Sequence, residues 1–244
     1  MTTNPASGRR GFAWAIVGGL VLIAGVVAII VSSLLAQPAP SPAETPTTSP
    51  TSSTPTTEAP VGEVVDASVA ERGWLSEPIT TDREMYIRAA LEAAATFDTQ
   101  KSTREDWLDY LDTWFTTDTR YTSEADQLAA MEASQVELRQ GVVLPQEEWD
   151  SLANEDGRVV AAATGDVFYV PVTDDVSGDM SIGTSDVTLT FARSDGSGGE
   201  TSYEEQVRVS VQVLCGPGSV PTPDSAQRAG DCKVVRYFTE PLEP

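Results

Sequence analysis

The chain predicts an α+β domain held at a membrane by a disordered spacer. Three observations carry this prediction. Apolar residues fall at helical spacing through roughly residues 81–152 and then switch to strand alternation through roughly 158–239. An uncharged, mostly apolar run covers Gly11–Ala36. A stretch of Pro, Thr, Ser and Ala separates the two.

The run from Gly11 to Ala36 is long enough to span a hydrocarbon core of about 30 Å with some tilt. A cleaved signal peptide is the competing reading. Signal cores are shorter, about 7–15 residues, and Leu34-Leu35-Ala36 places a bulky residue where a cleavage site prefers a small one. Arg9 and Arg10 precede the run, and no further Lys or Arg occurs before Arg72. The positive-inside rule then assigns residues 1–10 to a cytoplasmic stub, 11–36 to a transmembrane helix, and the remainder to the outer side.

Residues 37–60 carry Glu44 and Glu58 as their only charges. That composition buries no core, so it is expected to be a disordered linker. Its simplest role is to lift the following domain off the membrane. Residues 61–244 then form the extracytoplasmic domain, long enough for one hydrophobic core.

Charge narrows the function classes. The net charge is −22, and residues 1–60 hold two arginines against two glutamates, so the imbalance lies in the extracytoplasmic domain. A surface that acidic repels phosphate backbones and anionic lipid headgroups, so direct nucleic-acid binding is not expected.

The only two cysteines, Cys215 and Cys232, fall on the outer side, where an isolated pair usually forms one disulfide. The Gly- and Pro-rich segment between them reads as a long loop joining two strands.

Each element has its own signature. Thr81-Asp82-Arg83-Glu84 is a capping-box pattern, followed by Ile87, Ala90, Leu91, Ala94 and Ala95 near helical spacing. Ser102-Thr103-Arg104-Glu105 opens a shorter helix with Trp107, Leu108, Leu111, Trp114 and Phe115 on its apolar face. Ser123-Glu124-Ala125-Asp126 opens a third, expected to turn Leu128, Met131 and Val136 inward. Pro145 before Gln-Glu-Glu-Trp suggests one more helical turn, with proline at its first position.

Residues 158–171 read as one or two strands, 186–193 and 206–213 as alternating strands, and 233–239 as a fourth. Ser194-Asp-Gly-Ser-Gly-Gly199 is a hairpin signal between two of them. Val207, Val209, Val211 and Val213 share one face, and Gln206, Arg208, Ser210 and Gln212 are expected to face water on the other. Helices followed by strands place the helices on one face of an antiparallel sheet.

The long alanine-rich helix over Tyr86–Phe97, the short W-L-x-x-L-x-x-W-F helix over Trp107–Phe115 and the strand order resemble a nuclear-transport-factor-like (cystatin-like) cone. A cytoplasmic stub, one span, a linker and this cone resemble the bitopic scaffold proteins of conjugation and type IV secretion channels. Actinobacterial Mce-associated membrane proteins share the layout. The resemblance implies a strongly curved sheet and partners among other envelope-complex proteins, a second copy of the chain included. It carries no catalytic residues with it.

Residue patterns that carry chemistry are sparse in this chain. The chain has no histidine, which removes Ser-His-Asp and Cys-His mechanisms and the commonest zinc ligand. Phosphate-loop and dinucleotide-binding glycine patterns are missing. Thr173-Asp-Asp-Val-Ser-Gly-Asp179 clusters three carboxylates but fails calcium-loop spacing, and reads as an acidic turn. Asn154-Glu-Asp-Gly157 reads as another turn. Asp98 and Asp112 are conceivable bases in a cone pocket, against the simpler reading that they solvate helix ends. Trp74, Trp107, Trp114 and Trp149 are expected as core or interface aromatics.

No catalytic residue, cofactor or metal ligand is assigned. The leading expectation is a non-enzymatic, membrane-anchored scaffold or assembly module of a bacterial envelope complex. The alternatives are a ligand-binding or sensory domain using the cone's pocket, and an isomerase- or dehydratase-like enzyme.

Overall fold

A computed structural model describes residues 62–242. The expected stub, span and linker therefore lie outside the described residues. No helix among the described residues is long and apolar enough to cross a membrane.

After a short 3₁₀ turn at Ala67–Arg72 come helix α1 (Arg83–Ala93), the two-residue strand β1 (Phe97–Asp98), α2 (Arg104–Asp112), α3 (Glu124–Gly141) and α4 (Gln146–Ala153). Strands β2 (Arg158–Val170), β3 (Met180–Ser194), β4 (Glu200–Leu214) and β5 (Lys233–Phe238) follow. The fold is α+β, a curved antiparallel sheet in the order β1-β2-β3-β4-β5 with helices packed on it. The small β1 adds a fifth strand to the four read from the sequence, pairing Phe97 with Val159.

Local chemistry sets the helix starts. Side-chain oxygens of Asp82, Thr103 and Ser123 accept from the backbone N–H of Met85, Asp106 and Asp126, so three of the four helices begin on a side-chain cap. The first cap is Asp82 rather than Thr81, and Pro145 sits at the cap position, one residue before the helix. Alanines at 89, 90 and 93 let α1 lie close to the sheet. At Gly183 of β3 an added Cβ would stand 2.7 Å from Ile87 Cδ1.

The core lies between the helices and the inner face of the sheet. Trp74, Trp107, Trp114 and Trp149 are all buried there. Phe97 stacks on Trp149 with ring centroids 4.2 Å apart and meets Trp107 at 4.9 Å. Val187, Val211, Val213 and Val234 close the core from the sheet side.

Two expectations about faces are corrected. Leu128 and Val136 of α3 point outward, 44% and 47% exposed, while Leu138 is the fully buried contact. Met131 does pack on the core, one stripe with Leu138 seven residues on, and Leu128 and Val136 fall beside that stripe as the helix lies along β5. On β4, Ser210 and Gln212 are buried rather than solvated. The chain leaves β5 at Phe238 and passes to the outer face of the sheet, where the N–H of Leu242 donates to Ser210 Oγ at 2.8 Å and Thr184 Oγ1 donates to the Leu242 carbonyl at 2.8 Å. Gln212 points its amide at Met180 Sδ inside a small second cluster of Met180, Leu214 and Val235. This half of the sheet is covered on both faces.

Candidate functional site: an open groove beside a free strand edge

A concavity of about 450 Å³ opens between the end of α1, the α3–α4 connection and the inner face of β3 and β4. Its walls are mostly aliphatic: Leu91 and Ala94 from α1, Val142 and Leu144 from the connection, Leu189 and Val207 from the sheet. Glu205 is the carboxylate on the wall. Arg208, also at the margin, donates to Asp186 Oδ1 at 2.8 Å. A second hollow continues past Phe191 and Tyr203, whose rings stack 4.9 Å apart.

The groove exists because β4 outruns β5. Ser210 is the first β4 residue paired with β5, opposite Phe238. Residues 200–208 pair with β3 on one side only. Val207 and Val209 continue the valine face toward the groove and are half-buried, whereas Val211 and Val213 on the same face are fully buried.

The opposite side of the sheet is treated differently. The edge of β2 is met by side chains of α1 and the turn after it: Ala161 N–H donates to Thr96 Oγ1 at 3.1 Å and Ala163 N–H to Glu92 Oε1 at 2.9 Å. Arg88 donates to the Gly165 carbonyl at 2.7 Å, next to a bulge between Thr164 and Phe168. These contacts use the backbone groups another strand would need. Burial holds the Glu92 carboxyl above its ordinary value, opposed by its bond from Ala163 and by Arg88.

The conceivable bases lie elsewhere. Asp98 accepts from the Gln100 N–H and pairs with Lys101 at 3.4 Å, a turn-closing role. Asp112 is paired with Arg139; burial raises its carboxyl, and the arginine opposes the rise. Neither borders the groove.

In the acidic loop, Asp175 accepts from the Ser177 N–H and hydroxyl and from the Met180 N–H, closing a turn on itself. Among the described residues no group of three acidic or sulfur ligands could hold a metal. Asp156, with φ of 52°, makes 154–157 a tight turn.

Cys215 and Cys232 are bonded to each other, joining the end of β4 to the start of β5. Just beneath lies a polar cluster that sequence reasoning missed. Glu77 and Lys233, each with a 1% exposed side chain, pair at 2.9 Å. The same carboxylate oxygen accepts from Tyr86 OH at 2.5 Å and Gln227 Nε2 at 3.1 Å. Lys233 completes its three donors on the Thr113 carbonyl and Thr222 Oγ1, both at 2.7 Å. Burial holds the Lys233 ammonium below its ordinary value against the pull of Glu77. The same burial, reinforced by Glu77, pushes the Tyr86 hydroxyl up. Lys233 is one of only two lysines in the chain and follows a cysteine directly into a strand, the one hint in the sequence. The two buried charges thereby clasp the 77 segment, α1, the loop at 222–227 and β5 together.

No family model matches the chain, and no curated protein does. Two solved structures are similar to it. One is an IcmL-like type IV secretion system protein from Legionella pneumophila, at 13% identity and a TM-score of 0.39, covering 67% of this chain and 95% of that one. The other is CagV, a VirB8 homolog of the type IV secretion system of Helicobacter pylori, at 16% identity and a TM-score of 0.28, covering 57% of this chain and 82% of that one.

Proposed function

We propose that the chain is a non-enzymatic, membrane-anchored scaffold of a bacterial envelope complex, of the secretion or conjugation kind or associated with a transporter. The observation that carries this reading is the groove: aliphatic walls, one wall carboxylate, and an uncovered strand edge beside it. That is contact chemistry. Proton-transfer catalysis needs a base placed against its substrate, and the two carboxylates read as bases are engaged elsewhere in turn and ion-pair contacts. The apolar run at 11–36, with residues 37–60 as spacer, would tether this surface within the linker's reach of the bilayer.

The test is crosslinking in cells followed by recovery of the full-length membrane form. Reproducible envelope partners are expected; recovery alone, as a monomer, sinks the scaffold reading. Coupling ATPase or relaxase genes beside this one would favour conjugation, and lipid-transporter genes would favour transport.

The groove's volume supports a second reading, an apolar small-molecule sensor, since about 450 Å³ falls within the range of small-ligand pockets. A lipid or other apolar compound copurifying in stoichiometric amount would move the assignment there.

A further inference from the structure

We infer that residues 200–208 of β4 are a docking edge for an extended, basic segment of a partner protein, which adds to the sheet as a sixth strand and lays alternate side chains over the groove. The inference rests on the scaffold reading in supplying a partner, and it names where and by what chemistry that partner binds.

The lane is already defined. β5 runs antiparallel to β4 and stops at Phe238, opposite Ser210. There the chain turns to the outer face and is held by Ser210 and Thr184, and no described strand pairs with β4 along the line beyond Phe238. An added strand occupying that line would follow the direction of β5 and cover about 30 Å of edge at the strand rise. Main-chain bonds along an edge supply affinity, and pockets for alternate side chains supply selectivity.

The same sheet shows what a closed edge looks like. Side chains of α1 and the following turn take up the β2 backbone at Ala161, Ala163 and Gly165. No described side chain does this along residues 200–208 of β4. Their alternation decides what fits. Tyr203, Glu205, Val207 and Val209 face the groove side, so a partner needs apolar residues opposite the valines. Glu204 and Glu205 are exposed and have no ion-pair partner among the described residues, whereas Arg158, Arg193 and Arg208 are matched to Glu200, Glu155 and Asp186.

Charge also selects against a second copy of this chain. Edge-to-edge pairing of two β4 strands brings Glu204 and Glu205 of both copies together on domains that already repel each other.

The test uses the full chain in detergent micelles and three capped nonapeptides: alternating Val and Lys, alternating Val and Glu, and the Val–Lys peptide with every amide N-methylated. The Val–Lys peptide is expected to bind and to slow hydrogen exchange of edge amides within 200–208 at least ten-fold. The other two are expected to bind at least ten-fold more weakly. The double variant Glu204→Lys with Glu205→Lys, both at exposed positions, should reverse the preference between the lysine and glutamate peptides.

Equal binding of the N-methylated peptide, protection mapping outside β4, or an unchanged preference in the double variant overturns the proposal. Protection of 200–208 that appears with protein concentration and no peptide also overturns it, in favour of self-association. Each of these failures leaves the scaffold reading intact if envelope partners are still recovered by crosslinking to another face.

Discussion

The two halves of β4 carry one alternating pattern and meet opposite fates. From Ser210 to Leu214 the strand is paired on both edges, packed on both faces and tied to β5 through Cys215 and Cys232. From 200 to 208 it is paired on one edge, and its residues are exposed or half-buried. Val207 and Val209 look toward the same side as Val211 and Val213, yet only the second pair is fully buried. Periodicity assigns a residue to a face, and the neighbouring elements decide whether that face is covered.

The closed half should fail first and hardest under substitution. Lys233→Met leaves the Glu77 carboxylate buried without its cation and is expected to cost about 3–5 kcal/mol in urea unfolding. Replacing Glu77 by Leu in the same chain should return most of that loss, because an apolar pair of similar volume removes the stranded charge. A double variant as unstable as the single one would mean the clasp contributes through the hydroxyl and amide contacts around it.

Reduction of the disulfide comes next. It reopens a loop with a sequence separation of 17, and the expected loss is about 3 kcal/mol, read as a lower thermal midpoint in reductant. The valines then test the comparison directly. Val213→Ala is expected to cost about 2 kcal/mol and Val207→Ala under about 1 kcal/mol, since only the first opens a cavity in packed core. Equal costs would show that the groove half is closed in solution.

The smallest effect belongs to the sealed edge of β2. Burial raises the Glu92 carboxyl in the folded state, so its protonated form is favoured by folding. The contribution of that protonated form is fully present below the unfolded value and is lost as pH rises through the raised folded value. Glu92→Gln keeps an acceptor for Ala163 without the charge. Relative to the parent, the variant should therefore gain roughly 0.5 kcal/mol between acidic and neutral pH in paired urea titrations. A variant that loses ground over the same pH interval would mean the charge helps to hold the edge.

Much of the fold was legible because local chemistry carried it. Asp82, Thr103 and Ser123 begin their helices with side-chain caps, and Trp107, Leu108, Leu111, Trp114 and Phe115 are buried as their spacing implies. Illegible features were those set by long-range cover. Nothing near Ser210 or Gln212 announces that the chain will return at Leu242 to cover the outer face. Leu128 and Val136 satisfy a helical stripe, but the stripe of α3 that meets the core runs through Met131 and Leu138 instead.

The groove was less readable still, because it arises from a length difference between β4 and β5. Glu77 and Lys233, 156 positions apart, had no pattern to join them.

The clasp also sets how the domain takes a mechanical load. Tension entering at Gly62 first meets a short bridge, Val65 N–H to the Glu77 carbonyl at 2.9 Å and Ile79 N–H to the Glu63 carbonyl at 2.8 Å. Behind it Trp74 stacks on Tyr110, and then the Glu77 side chain is anchored to Lys233, itself next to a covalent crosslink. These contacts follow one another along the path of the pull. If the proposed anchor loads the domain at Gly62, the backbone bridge is expected to open before the Glu77–Lys233 pair, so the pull lengthens the lead-in while the sheet keeps its shape.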